Sequence, residues 1–362
     1  MIRLRGINDT IMIKISQKQQ QLLLVFLKNG LLSSSQTHKL LIKSGENLSL
    51  VTVKRELAEM ASGGFLAASG KGRSSAYRIS ALGRIFTNVD ARSYCSEEPD
   101  KRYGQEHFNF DLLPALPAEI FSSEEISALE DATKEYSRRT ADSPPVIAKK
   151  ELERLIIELS WKSSKIEGNT YTLLDTEKLI LENKEAPGHD KKEAIMILNH
   201  KNAFNFIHEN SKEFRTLTRA NLERLHEILV KDLSVGAGFR KKPVGVVGSK
   251  YQPLDNIYQI NEAVDSLAGA VAKAAIPYAK SLFALAGLSY IQPFEDGNKR
   301  TSRLLANALL LAHNYAPLSY RSVDEKEYRE AMLVFYELNS IIPIKKIFAG
   351  QYDFAARNYA VK

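Results

Sequence analysis

Residues 291–303, IQPFEDGNKRTSR, contain the densest group of atoms that could bind an anion. Within this segment, the Asp-Gly-Asn run at 296–298 favours a tight turn that leads into a helix. The first backbone N–H groups of a helix have no partner within it and attract negative charge, and Lys299 and Arg300 add positive charge beside them. The segment therefore predicts an anion-binding helix start.

Three side chains in this segment favour a polyphosphate as the anion. Asp296 supplies a hard oxygen ligand beside the anion site, the arrangement that holds Mg²⁺ on a polyphosphate. Arg300 and Arg303 are three residues apart and share one face of the helix. A plain turn followed by a helix cap would use the same residues, so the spacing alone leaves that alternative open.

The order and spacing of this segment closely resemble the signature loop of the Fic family, H-P-F-x-[DE]-G-N-[GK]-R-x-x-R. Every defined position matches except the first, and the resemblance extends over roughly residues 150–340. Fic domains are helical, and most characterised members transfer AMP from ATP to a hydroxyl side chain of a target protein. The resemblance therefore implies a helical domain that binds ATP.

The resemblance also implies a role for each matching residue. Asp296 would hold Mg²⁺, Asn298 and Arg300 would contact the phosphates, and Arg303 would reach the terminal phosphate. The Gly297 amide and its neighbours would form the anion hole.

Gln292 departs from the family pattern, because it stands where the family has the histidine that takes the proton from the attacking hydroxyl. A glutamine amide can orient a hydroxyl but cannot accept its proton. General-base catalysis contributes about 10²–10⁴-fold to a rate. The sequence thus predicts a protein nucleotidyltransferase of reduced or no activity or, alternatively, a noncatalytic nucleotide-sensing or DNA-binding regulator. His226 is a candidate substitute base if it lies nearby in the fold, or else a structural residue.

A second motif ends the helix predicted over residues 151–168. Its sequence SSKIEGN fits the inhibitory pattern [ST]-x-x-x-E-[GN] of many Fic proteins and places Ser163 and Glu167 one helical turn apart. A carboxylate at a helix C-terminus is unfavourable unless it has a cationic partner. The resemblance implies that Arg303 is this partner, so that Glu167 would occupy the place of the γ-phosphate. In some family members this glutamate also activates water to remove AMP from a modified target.

Residues 244–253, VGVVGSKYQP, favour a small β-hairpin with Gly248-Ser249 at its turn. By the resemblance, this hairpin is the flap that aligns the target peptide by strand addition, with Val246, Val247 and Tyr251 at the contact.

The first 90 residues favour three helices followed by a basic hairpin, an order typical of a winged helix-turn-helix. The third helix is expected to begin near Ser49, and the hairpin strands are expected at 65–68 and 76–79. The residues predicted to contact DNA are Ser49, Thr52, Lys54 and Arg55 at the start of the third helix, and Lys71 and Arg73 at the wing tip. The alternative is that this unit mediates dimerisation or docks a protein.

These segments predict a mainly α protein in three parts. They are a winged helix-turn-helix over residues 1–90, a linker over 91–120, and a helical Fic domain with a small β-hairpin flap over 121–362. The linker shows no helical period and is expected to be anchored by apolar residues, namely Phe108, Phe110, Leu112 and Leu113. Helices are further predicted at residues 17–28, 151–166, 221–229, 278–290 and 299–313.

Composition sets limits on partners and location. The formal net charge of the 362 residues is +7, which permits a nucleic acid or nucleotide partner without requiring one. No apolar stretch approaches the roughly 20 residues that span a bilayer, and no signal-peptide cleavage pattern is present. Cys95 is the only cysteine, so neither an internal disulfide nor a cysteine metal cluster is expected. We expect a cytoplasmic protein whose partners are ATP with Mg²⁺, a target protein with a Ser, Thr or Tyr hydroxyl, and DNA or a second copy of the chain.

Overall fold

The computed structural model describes residues 15–70 and 72–361, and these are mainly helical, as predicted. The helices are α1 Gln17–Asn29, α2 Ser34–Lys43, α3 Leu50–Ser62, α4 Ala81–Phe86, α5 Ala91–Cys95, α6 Ser123–Asp142, α7 Pro145–Ile166, α8 Leu173–Glu182, α9 Lys191–Glu209, α10 Arg219–Val230, α11 Ile257–Lys273, α12 Pro277–Ile291, α13 Asn298–Leu311, α14 Glu325–Leu338 and α15 Ile342–Asn358. The strands are β1 Leu32–Ser33, β2 Leu66–Ser69 and β3 Ala76–Ile79.

The N-terminal unit contains the three helices and the hairpin in the predicted order. Strands β2 and β3 form the hairpin, and the short β1 adds to the other side of β3, giving the antiparallel order β1-β3-β2. Ser49 caps α3 by accepting a hydrogen bond from the Thr52 backbone N–H. Lys54 and Arg55 are exposed on α3, whereas Lys71 and the side chain of Arg73 lie outside the described part of the chain. The winged-helix interpretation and its DNA contacts stay predictions.

Residues 91–120 fold against the rest of the chain. They include α5 and a 3₁₀ turn at Pro99–Lys101, which the mixed composition of the segment did not indicate. Leu112 and Leu113 are buried, as predicted, but Phe110 is 51% exposed, so its predicted role as an anchor is wrong. Phe110 instead contacts Phe108, which stacks on Tyr290.

Helix α12 lies at the centre of the fold and positions residues 292–303, which we call the signature segment. Every residue from Tyr278 to Ile291 except Lys280 is buried, because α12 packs against α11, α13 and α14. A helix that is apolar on all sides is stable in water only when neighbouring helices surround it. Helices α12 and α13 therefore hold the turn between them, residues 292–297, in a fixed position.

The hairpin predicted for residues 244–253 does not form. The segment contains one turn, in which Ser249 N–H donates to Val246 O, and an isolated bridge between Gln252 and His107. The turn is thus centred one residue earlier than predicted, with Gly248 at φ 76°. Within the loop, Tyr251 N–H also donates to Ser249 Oγ over 3.1 Å, but no two strands pair, and several groups of the loop bond to other parts of the chain.

Among the described residues, no helix is long and apolar enough to cross a membrane.

The packing around α12 predicts different effects of alanine at two helical glycines. A Cβ atom at Gly287 would lie 2.4 Å from Leu267 Cδ1 and 3.4 Å from Leu113 Cδ2, and both leucines are fixed in the core. We expect Gly287→Ala to lower the free energy of unfolding by about 1–3 kcal/mol. Gly269→Ala on α11, where a Cβ meets nothing within 4 Å, is the control and should raise it by about 0.5–1 kcal/mol. Urea denaturation measures both, and equal effects would contradict this account of the packing.

Candidate functional site

The signature segment begins where α12 ends, at Gln292. This residue adopts the left-handed conformation, with φ 52° and ψ 58°, and its backbone N–H donates to Leu288 O over 3.0 Å. Its side-chain Nε2 donates to Ser289 O over 2.6 Å, because only the amide NH₂ can bond to a carbonyl oxygen. The Oε1 atom is then the remaining polar atom of Gln292, and it can only accept hydrogen bonds.

Asn298 stabilises the turn by bonding across it. Its Oδ1 accepts from Phe294 N–H and its Nδ2 donates to Phe294 O, both over 2.8 Å. The side chain predicted to contact phosphate is therefore occupied within the loop. The group that Asn298 can offer an anion is its backbone N–H, at the start of α13.

His226, on α10, contacts the same turn with its imidazole ring. Its ring stacks on Phe294 with centroids 3.6 Å apart, and its Nε2 lies 2.9 Å from Asp296 O. Burial lowers the pKa of His226 to about 4, so the ring is neutral near pH 7 and Nε2–H donates to the carbonyl. These contacts favour the structural interpretation of His226 over that of a substitute base.

Arg240 is a positioning residue that the sequence analysis missed. It is buried, and its Nε donates to Gln292 O over 2.6 Å while its backbone N–H donates to Pro293 O over 2.9 Å. Its other guanidinium nitrogens donate to Lys242 O and Leu254 O, on both sides of the 244–253 loop. Arg240 thus joins this loop to the signature segment.

The start of α13 has the features of an anion site. Gly297 is the N-cap at φ 77°, and no side chain caps the helix. Arg300 is buried, and its Nη2 contacts Asp296 Oδ2 at 3.2 Å, whereas its Nη1 is buried without a hydrogen-bond partner. The Asp296 side chain is 66% exposed, so its carboxylate is open to solvent.

Arg303 is fully buried and contacts Glu167 and Ser163, the two residues predicted for the inhibitory motif. Its Nη1 lies 2.8 Å from Glu167 Oε1, its Nε donates to Ser163 Oγ over 2.9 Å, and its Nη2 donates to Ser163 O over 2.8 Å. Burial acts to raise the pKa of Glu167, but the charges of Arg303 and Lys299 outweigh it and the pKa is lowered. Lys299 Nζ is 3.6 Å from Glu167 Oε2.

Helix α7, which carries Ser163, is anchored to the C-terminal part of the chain. Lys162 Nζ lies 2.5 Å from Glu325 Oε1 on α14, and Glu158 Oε1 accepts from Arg321 over 2.8 Å. Tyr359 also donates a hydrogen bond to Glu158. These bonds fix the last turns of α7, next to the residues that contact Arg303.

A cavity of about 260 Å³ connects these groups. Its walls contain nine of the predicted site residues, together with Met196, Val244, Gly245 and Glu295, which the sequence analysis did not name as site residues. The predicted residues in the walls are Glu167, Val246, Val247, Gln292, Asp296, Gly297, Asn298, Lys299 and Arg300. Arg303 does not line the cavity.

The three residues predicted to face a target have different environments. Val247 is 94% exposed at the lip of the cavity, and Val246 is buried. Tyr251 is buried in the core, where it stacks on Tyr290 and donates to Tyr290 O over 2.8 Å. Since Tyr251 has no surface to offer, its predicted contact with a target is wrong.

Comparison with known proteins identifies the domain around this cavity. Residues 216–310 match the model of the Fic/DOC family, so the chain carries a Fic/DOC domain. The protein adenylyltransferase Fic of Nematostella vectensis is 26% identical over 186 residues, which cover 50% of this chain and 44% of that protein. The protein adenylyltransferase Fic of Drosophila willistoni is 30% identical over 166 residues, covering 45% of this chain and 33% of that protein. The chain thus spans less than half the length of either relative.

Solved structures show the same fold. A Fic domain containing signaling protein from Bacteroides thetaiotaomicron matches with a TM-score of 0.54 at 20% identity, over 63% of this chain and 94% of that one. Fic-1 from C. elegans (residues 134–508) matches with a TM-score of 0.54 at 17% identity, over 66% of this chain and 71% of that one. At these identities the likeness shows the fold alone.

The low pKa of His226 predicts a pH-dependent stability. Because the pKa is lowered from 6.5 to about 4, the folded state disfavours the protonated ring, and the stabilisation present above pH 6.5 is lost as the pH falls towards 4. We expect the wild type to lose roughly 2–3 kcal/mol of unfolding free energy between pH 7.5 and 4.5 relative to His226→Gln, whose side chain does not titrate. Urea denaturation at both pH values measures this difference. A pH-independent difference between the two proteins would contradict a buried neutral His226.

Proposed function

We propose that the Fic/DOC domain of this chain binds ATP with Mg²⁺ and is built to transfer AMP to a hydroxyl of a target protein. In this proposal Glu167 inhibits transfer and Gln292 limits its rate. The observation that carries the proposal is the pairing of buried Arg303 with Glu167 beside the uncapped start of α13. This arrangement combines an anion site with an internal carboxylate that competes for one of its cations.

The residues at the start of α13 suit a nucleotide polyphosphate. Leaving a buried guanidinium nitrogen such as Arg300 Nη1 unbonded is costly, and a phosphate oxygen would satisfy it. The uncapped backbone N–H groups beside it favour the same charge.

Asp296 is the residue that would hold Mg²⁺. In the described part of the chain, no group of three or more His, Cys, Asp or Glu residues could hold a metal ion. Mg²⁺ is commonly bound by one or two carboxylates together with substrate phosphates, and the exposed Asp296 carboxylate fits that role. Bound there, Mg²⁺ would neutralise charge on the phosphates.

Glu167 inhibits, in this proposal, by occupying Arg303. A terminal phosphate can reach Arg303 only if the Glu167 carboxylate leaves the 2.8 Å contact. A nucleotide that binds while Glu167 stays in place would lack this contact, and its α-phosphate would not be aligned for attack.

The transfer step itself needs a proton acceptor. The target oxygen would bond to the α-phosphorus as the bond to pyrophosphate breaks, and the hydroxyl proton would leave. Gln292 Oε1 can accept a hydrogen bond from that hydroxyl but cannot take its proton, so the proton would pass to solvent.

The second candidate function is a noncatalytic regulator that senses nucleotide. Gln292 favours it, because its amide is fixed to Ser289 O and supplies no base. The N-terminal unit, with Lys54 and Arg55 exposed on α3, would bind DNA or a partner and respond to ATP.

Nucleotide binding can be tested at Arg300. We expect Arg300→Met to weaken binding of Mg²⁺–ATP at least tenfold, because a charged hydrogen bond contributes about 1.5–3 kcal/mol. Isothermal titration calorimetry measures the affinity. Arg357→Met is the control, since Arg357 is exposed and pairs with Asp353 on α15. A folded Arg300→Met protein with unchanged affinity would rule out this anion site.

Transfer can be tested in a two-by-two set of Glu167→Gly and Gln292→His with α-phosphate-labelled ATP and Mg²⁺. We expect strong self-labelling in the double variant, about 10²–10⁴-fold above Glu167→Gly alone, because the base is restored while the inhibitory carboxylate is absent. ATP labelled at the γ-phosphate is the control and should transfer no label.

The remaining outcomes separate the two functions. Equal labelling of Glu167→Gly with and without Gln292→His would mean that transfer needs no base at this position. ATP binding without labelling in any of the four proteins would favour the regulator, which a duplex gel shift with and without ATP would then examine. Loss of that shift when Lys54 and Arg55 become alanine would support DNA contact.

A further inference from the structure

Glu337, near the end of α14, is a fully buried carboxylate outside the cavity that bonds to three donors. Tyr94 OH lies 2.6 Å from its Oε2 and equally close to Tyr103 O, so the hydroxyl proton is shared between the two acceptors. Arg102 Nη1 at 3.2 Å and Ser249 Oγ at 2.7 Å donate to its Oε1. A buried carboxylate is stable only when hydrogen bonds and an opposite charge compensate for its lost hydration. The positions of all three donors are therefore tied to one side chain.

The donors belong to two separate segments. Tyr94 and Arg102 lie in residues 94–106, which we call the brace segment and which follows the N-terminal unit. Ser249 lies in the 244–253 loop, whose exposed residue Val247 stands at the lip of the cavity. Glu337 thus connects the brace segment to the loop.

Direct bonds between the brace segment and the loop support the same connection. Arg102 Nη1 donates to Gly248 O over 3.0 Å, and Lys250 Nζ donates to Arg102 O over 2.7 Å. Gln252 N–H donates to Glu106 O over 2.6 Å. Because the loop forms no strands of its own, these outside bonds are a large part of what holds its conformation.

The N-terminal unit is bonded to the same region of the fold. Ile341 N–H, three residues after α14, donates to Ile85 O on α4 over 3.2 Å. Ser340 Oγ donates to Thr87 O, just beyond α4. A shift of the N-terminal unit would therefore strain the end of α14, where Glu337 lies.

We propose that Glu337 and Arg102 are positioning residues for the 244–253 loop, through which the brace segment sets the loop conformation at the mouth of the cavity. The importance of the loop for target docking rests on the proposed function, but its dependence on the brace segment does not. The N-terminal unit would then influence the Fic/DOC domain through the shape of this loop, without contacting a nucleotide.

Hydrogen–deuterium exchange on the full chain tests the connection between the brace segment and the loop. Conservative variants of the donors are used, because replacing Glu337 itself would leave Arg102 buried and unpaired. Tyr94→Phe and Ser249→Ala each remove one donor to Glu337, and the reporter is the backbone amide of Gln252. Ser249→Ala also removes the acceptor of Tyr251 N–H within the loop, so it serves as the positive control for loosening of the loop. We expect each variant to speed its exchange about two- to tenfold, since a single hydrogen bond contributes about 0.5–1.5 kcal/mol. Tyr136→Phe and Ser281→Ala remove buried hydroxyl hydrogen bonds elsewhere and should leave this amide unchanged.

The decisive comparison is Tyr94→Phe, since Tyr94 has no hydrogen bond to the loop and its hydroxyl contacts only Glu337 and Tyr103 O of the brace segment. Faster exchange at Gln252 in Tyr94→Phe would support coupling of the loop to Glu337 and the brace segment, and a double variant whose effect is less than the product of the single effects would place that coupling at Glu337, which both side chains contact. Faster exchange around α5 with an unchanged Gln252 amide would overturn the proposal, as would a uniform increase over the whole chain. Binding of Mg²⁺–ATP to the wild type is measured separately, because the dependence of the loop on the brace segment does not require that the cavity binds nucleotide.

Discussion

The buried charge of Arg303 is the constraint on which the arrangement of this domain depends. A guanidinium without access to water needs an anion and further acceptors within hydrogen-bond reach, and the end of α7 supplies both through Glu167 and Ser163. Helices α7 and α13 are consequently held together at one point by charge as well as by apolar packing. Any anion that replaces Glu167 must satisfy the same guanidinium, so binding of such an anion would depend on the position of the Glu167 carboxylate.

The turn between α12 and α13 is stabilised differently, by several hydrogen bonds to its backbone. Asn298 bonds across it, His226 holds the Asp296 carbonyl, and Arg240 holds the carbonyls of Gln292 and Pro293. With these groups occupied, the amides of the helix start remain available to a ligand. The turn at 292–297 is thus fixed without using the backbone N–H groups at the start of α13, the atoms that an anion would bind. Such an arrangement would be preorganised for an anion.

The sequence was most informative where the pattern was local. The helices found at α7, α10, α12 and α13 agree with the helices predicted from runs of apolar residues, and the start of α13 follows from the contiguous Asp-Gly-Asn run at 296–298. Anion binding at that start stays a prediction. The contact between Glu167 and Arg303 could be named only through a family resemblance, because no local rule joins residues so distant in the chain. The role of Arg240 could not be predicted, because it precedes Lys241 and Lys242 and a run of cations usually indicates a solvated surface. The 244–253 loop has the composition of a hairpin, but bonds to Arg102, Glu106 and Glu337 replace the strand pairing that composition favours.

The complete burial of α12 also bears on how the chain acquires its structure during synthesis. Helix α12 leaves the ribosome before α13, α14 and α15, and it has no polar face with which to remain in water. Until those later helices arrive, its apolar surface is exposed to other nascent chains and to chaperones, a condition in which aggregation competes with folding. The element that gives the finished site its rigidity is therefore also the one that makes a partly synthesised chain vulnerable.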